Sequence, residues 1–132
     1  MKKNPVVHFE LPAGDRERAK AFYSKAFDWK LNQLGPEMGD YITVETAETD
    51  ENNMVKGPGI NGGIYQKHLV DPTSHYPSVV IAVENLEEAM ENIKSAGGTI
   101  KGEPHNIPGI GRHASFIDTE GNRISILEPV KM

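Results

Sequence analysis

VVHFELPAGDRERAKAFYSKAFDWKL, residues 6–31, decides the fold, because SVVIAVENLEEAMENIKSAGG, residues 78–98, repeats its plan at an offset of 70. In the first stretch Val7, Phe9 and Leu11 share one face of a strand, and Val6, His8 and Glu10 share the other. Pro12-Ala13-Gly14 breaks the strand and Asp15 caps a helix running to about Phe27. Ala19, Phe22, Tyr23, Ala26 and Phe27 make its apolar stripe. In the second stretch residues 78–83 are the strand, and Asn85 with Glu88 is a capping-box arrangement. Ala89, Met90, Ile93 and Ala96 form the stripe that Gly97-Gly98 ends. Superposition sets Phe9 over Val79, Leu11 over Ile81, Asp15 over Asn85, Ala19 over Ala89, Tyr23 over Ile93 and Ala26 over Ala96. Agreement across a strand, a cap and a helical stripe marks an internal duplication.

Working outward, residues 29–34, 41–47 and 60–66 read as strands. Residues 48–59 form a polar, acidic loop, and 67–77, with Asp71-Pro72, form a linker. After the second helix, 99–103, 112–118 and 123–128 read as strands, joined by turn-rich segments at 104–111 and 118–122. Each half is therefore βαβββ. One such module leaves a sheet face uncovered, so two must pair. The expected fold is α+β: two βαβββ modules, about 4–67 and 77–130, forming a cupped mixed sheet with helices on the outside, in one domain over 1–132.

Composition narrows the chemistry. The 132 residues include no cysteine, which excludes disulfides, a thiol nucleophile and thiolate metal sites. A net charge of −5 argues against nucleic acid or anionic membrane as a partner, because both demand clustered Lys and Arg. No apolar run approaches the ~18–20 residues of a membrane span, and MKKNPVVHFE lacks a signal-peptide core. A cytoplasmic protein is expected. Asn61-Gly62-Gly63 is no phosphate loop, since neither a Lys-Ser/Thr ending nor a helix follows. No Ser-His-Asp order is defensible, and Ser78 and Ser125 lack the glycines of a nucleophile elbow.

Four segments, taken in order, resemble the vicinal oxygen chelate superfamily, which contains glyoxalase I, extradiol dioxygenases and bleomycin-resistance proteins. They are the opening 6–31 stretch, GPGINGGIYQ, NLEEAMENIKSAGGTIKGEP and IPGIGRHASFIDTEGNRISILEP. The resemblance is to the glyoxalase-like branch and covers nearly the whole chain. It implies a site where metal-binding members hold a divalent ion with one residue from each first strand and one from each last strand. His8 matches the first-strand position, and its repeat mate is Ser78. The last-strand position of the second module matches Ser125, and aligning GGIYQ with NRISI sets Tyr65 opposite it. Serine and tyrosine hydroxyls are poor donors for Zn, Ni or Fe(II), so no four-ligand metal site and no cofactor are expected. A divalent ion bound unconventionally stays open.

The resemblance implies a ligand pocket lined by His8, Tyr65, Ser78, Val80 and Ser125, with Arg112 at its mouth after the IPGIG turn. Arg112 there pairs with a ligand carboxylate or phosphate; otherwise it is a solvent-facing hairpin residue. His8 is either a catalytic base or metal ligand, or a cavity-lining histidine. Glu10 shares its face but is expected at a solvated strand end. Glu45 and Trp29 read as a sheet-face charge and a core aromatic, and Tyr41 as core. His68, His75, His105 and His113 show no ligand spacing. Two readings follow: a homodimeric protein that binds or sequesters a small organic molecule, or a metal-dependent or His8-assisted lyase, isomerase or dioxygenase.

Overall fold

In the computed structural model, residues 3–52 and 55–130 are described; residues 53 and 54 of the expected 48–59 loop and both chain ends lie outside the described residues. Two α-helices and eight strands appear among the described residues, an α+β arrangement. The chain divides into two units, 8–77 and 78–132 with residues 1–7.

The first unit holds β1 (Val6–Ala13) from His8 onward, α1 (Arg16–Phe27), β2 (Lys30–Gln33), β3 (Ile42–Glu45) and β4 (Asn61–Gln66). Its sheet order is β2-β3-β4-β1, with β4 parallel to β1 and the other pairs antiparallel. Asp15 caps α1 by accepting from the Arg18 amide at 3.0 Å. Ala19 and Tyr23 of α1 pack, with Phe9, Leu11, Trp29 and Leu31, on a buried core of Ala13, Ile42, Val44 and Ile64. The Trp29 and Tyr23 rings stack 5.0 Å apart and nearly parallel, which makes Trp29 a packing residue. Phe22 and Phe27, expected in the buried stripe, are more than half exposed; Phe22 meets the Tyr23 ring edge-on, and Phe27 stacks on it and leans on Trp29.

The second unit repeats the plan with β5 (Ser78–Ala82), α2 (Leu86–Ser95), β6 (Thr99–Ile107), β7 (Gly111–Ile117) and β8 (Arg123–Pro129). Its order, β5-β8-β7-β6, matches β1-β4-β3-β2 strand for strand, with the same single parallel pair. The Asn85 side chain accepts from the Glu88 amide at 2.9 Å, and α2 buries its own Leu86 against Val83, Ala114 and Ile126.

Two boundaries moved. The first strand runs through Pro12 to Ala13, whose carbonyl accepts from the Lys67 amide at 2.9 Å; proline's fixed φ suits an extended strand that needs no donor there. The strand β6 continues past Glu103 to Ile107 through an irregularity between Lys101 and His105, where Gly102 takes a φ of 72°. The 67–77 linker is ordered around a short 3-10 turn, Pro72–His75, which buries Ser74.

Candidate functional site

Each sheet has a face covered by its helix and a face without one, and strand alternation sorts the polar residues between them. In the first unit Phe9, Leu11 and Ala13 face α1, so His8, Glu10 and Pro12 lie on the helix-free face. The parallel register aligns His8 with Asn61, Glu10 with Gly63 and Pro12 with Tyr65. Glu10 is 8% exposed, not at a solvated strand end, because the extension of β1 to Ala13 moves it to mid-strand.

Gly63 has no side chain, and the Tyr41 ring fills the space: a Cβ at position 63 would overlap the Tyr41 hydroxyl. Burial first, then the charges of Glu10 and Tyr65, push the Tyr41 phenol well above its usual range and keep it protonated. Burial lowers the pKa of His8 from 6.5, with the Glu10 carboxylate opposing that shift. The helix-free face therefore gathers a carboxylate, an imidazole and a protonated phenol. The Tyr65 hydroxyl donates to the carbonyl of Ser74 at 2.9 Å, with that of Tyr76 at 3.2 Å.

The registers also correct the expected correspondence between modules. Ser125 aligns with Val80, whose repeat mate is Glu10, and Glu10 aligns with Gly63. The position equivalent to Ser125 is thus Gly63, two residues before Tyr65.

In the second unit Ile81, Ala114, Phe116 and Ile126 face α2, leaving Ser78, Val80, His113, Ser115, Arg123, Ser125 and Leu127 on the helix-free face. One row crosses the sheet from Lys101 through Ser115 and Ser125 to Val80. The Ser115 and Ser125 hydroxyls are 3.2 Å apart and buried, and Arg123 Nη2 reaches Ser115 Oγ at 3.4 Å. Ser78 Oγ is buried with no hydrogen-bond partner among the described residues. The next row pairs His105 with His113, ring centroids 4.9 Å apart, with both His113 nitrogens buried. Their equal distance from the 108–110 turn was the available signal.

Arg112 is not where it was expected. It shares the helix-covered face with Ala114, and its Nη1 lies 2.9 Å from Glu87 Oε1 of α2 and 3.8 Å from Glu128 Oε1. The Glu87 hydrogen bond raises the Arg112 pKa, and the same bond lowers that of Glu87. Glu128 also accepts from the Leu86 amide at 2.9 Å, so Arg112 belongs to the start of α2. Glu45 is exposed at the end of β3.

The residues at the four implied ligand positions make a weak donor set for a divalent ion. The first unit supplies one imidazole and a glycine; the second supplies two serine hydroxyls. Among the described residues no three His, Cys, Asp or Glu side chains converge.

Duplicated βαβββ units, each with a helix on one sheet face and a polar strip on the other, define the glyoxalase-type class of α+β proteins. The chain belongs to the Glyoxalase/Bleomycin resistance protein/Dioxygenase superfamily, whose family model matches residues 6–126. It is 25% identical over 126 residues to lactoylglutathione lyase of Salmonella typhimurium, covering 93% of this chain and 91% of that protein. It is 28% identical over 120 residues to the probable chloroplastic lactoylglutathione lyase of Arabidopsis thaliana. That match covers 89% of this chain and only 33% of the longer plant protein. The fold is shared with a Streptomyces coelicolor methylmalonyl-CoA epimerase variant in complex with 2-nitronate-propionyl-CoA, at TM-score 0.71 and 10% identity. There 98% of this chain and all of that chain are covered, a likeness of fold alone.

Proposed function

We propose that this member of the superfamily binds a small organic molecule on its helix-free strand faces, without a protein-held divalent metal or other cofactor. The observation that carries this reading is the state of Ser125. At a position where metal-binding members carry a ligand, its hydroxyl is fully buried and bonded to Ser115. The first unit's face offers His8, Glu10, Tyr41 and Tyr65, and the second unit's face, taken by itself, offers Ser78, Val80 and Ser125. Their mixture of apolar surface with few polar groups is that of small-molecule sites. The proposal includes a cytoplasmic homodimer with no nucleic-acid or membrane partner, in keeping with the acidic, cysteine-free composition. A ligand that binds only the native state raises Tm, so a thermal-shift screen of metabolites beside divalent ions tests it. Expected is stabilisation by organic compounds in the presence of EDTA. Stabilisation by divalent ions alone, lost on His8→Ala, would overturn it.

Glu10 favours a second reading. A buried carboxylate beside His8 and a protonated Tyr41 has the parts for metal-independent proton transfer next to a carbonyl, a lyase or isomerase chemistry. An assay for lactoylglutathione lyase activity in EDTA separates the readings: turnover abolished by Glu10→Gln makes the protein an enzyme, and no turnover leaves it a binder.

A further inference from the structure

We propose that the second unit carries a further small-molecule site, a groove along α2 that takes an aromatic amine. It lies on the helix-covered side of the sheet, opposite the helix-free face, and does not depend on binding there. The groove has a volume of about 490 Å3, within the roughly 300–1,000 Å3 of small-molecule sites, and residues of this unit alone line it. Ile81, Phe116 and Ile126 of the strands form its floor, and Ala89 and Ile93 of α2 its wall. Ile81, Ala89, Ile93 and Phe116 pack on the core yet stay only partly buried, so apolar surface is left open here. Asn4, Asn85, Glu88 and Asn92 make the polar rim.

The internal duplication indicates what fits. At the offset of 70, Asn92 and Ile93 are the mates of Phe22 and Tyr23. On α1 those two rings meet edge-on with centroids 5.0 Å apart, and Tyr23 stacks on Trp29, whose mate is Thr99. The second helix thus repeats the cap and stripe of α1 without its rings, and a bound aromatic body supplies the missing apolar contact. The charge at the rim is reversed as well. Arg18, which lies 3.9 Å from Asp15 on α1, has Glu88 as its mate. Of the three acids of α2, Glu87 lies 2.9 Å from Arg112 and Glu91 3.1 Å from Lys94. Glu88, the one that lines the groove, makes no ion pair among the described residues, and no described Lys, Arg or His lines the groove beside it. An ammonium carried by the aromatic body meets that carboxylate at the rim, whereas an anion is repelled.

Phenethylamine, its neutral analogue phenethyl alcohol and the anion phenylacetate are the probes, titrated at low salt into the isotopically labelled full chain and followed by amide chemical shifts. Phenethylamine is expected to saturate with shifts at Ile81, Glu88, Ala89, Asn92 and Phe116. It should bind about two- to fivefold more tightly than the alcohol, the worth of a solvent-exposed ion pair, with phenylacetate weakest. Glu88→Gln should bring the amine down to the affinity of the alcohol and leave the alcohol unchanged. Asn92→Phe, which gives α2 a ring that α1 carries, should remove saturable binding of all three while Tm stays unchanged or rises. Equal affinity for the three probes overturns the proposal, and so does binding retained in Asn92→Phe. Shifts confined to His8, Tyr65, Ser78 and Ser125 overturn the groove and leave binding on the helix-free faces standing. The same groove amides shifting on dilution of the chain alone would give the groove to a second copy and overturn the proposal. Saturation by none of the probes overturns it too.

Discussion

The Tyr41 ring occupies the space above Gly63, on the strand position that a last-strand ligand would take in the first module. Tyrosine and glycine thus form one packing unit, and any side chain at 63 must displace the phenol. Gly63→Ala should destabilise the fold by about 1–3 kcal/mol, the cost of overpacking a filled site. Urea denaturation measures it. In the Gly63→Ala/Tyr41→Ala double variant the two costs should fall short of their sum, because the clash is gone. Full additivity would show that the two residues do not share the space.

His8 carries a pH signature. Burial favours its neutral form and Glu10 opposes this only in part, so the folded pKa lies below 6.5. The unfolded chain takes up the proton near 6.5 and the folded chain only at lower pH. His8 therefore costs nothing above about pH 6.5 and destabilises the fold progressively as pH falls from there through the folded value. His8→Gln should flatten that part of the stability profile. An imidazole proton resonance titrating at or above 6.5 would contradict the burial of His8.

Much of this was legible in the sequence. The offset of 70 located both caps, Asp15 and Asn85, because a cap is local: its side chain bonds an amide three residues on. What escaped was decided across strands. Gly62 and Gly63 give no alternation, so the phase of β4 rested on Ile64 and Tyr65, and the module correspondence slipped by two. Glu10 looked solvated because Pro12 was taken as a strand end, whereas β1 continues to Ala13. Arg112 has the parity of Ala114 and Phe116, a usable signal. Its partners, though, come from α2 and β8, and only the assembled unit reveals them.

Arg112 should therefore be indifferent to ligand. Arg112→Ala is expected to leave the thermal shifts produced by organic compounds unchanged while slightly lowering Tm through the lost Glu87 and Glu128 pairs. Selective loss of the shifts given by anionic compounds would return Arg112 to the site.

Asn85→Ala should cost about 1 kcal/mol through the unsatisfied Glu88 amide at the start of α2, measurable by chemical denaturation. Asn85→Asp should restore most of it, since a carboxylate accepts the same bond and complements the helix N-terminus. No loss in the alanine variant would mean that α2 is held by packing alone.

The claim that most needs a measurement is the proposal that this chain, with Gly63, Ser78 and Ser125 at three of the four implied ligand positions, holds no divalent ion. Calorimetric titration of chelator-treated protein with Zn2+, Ni2+ and Mn2+ tests it directly. Expected is no saturating one-to-one heat and no difference between the wild-type chain and His8→Ala. One equivalent of metal bound at submicromolar affinity, retained through dialysis and lost on His8→Ala, would contradict it.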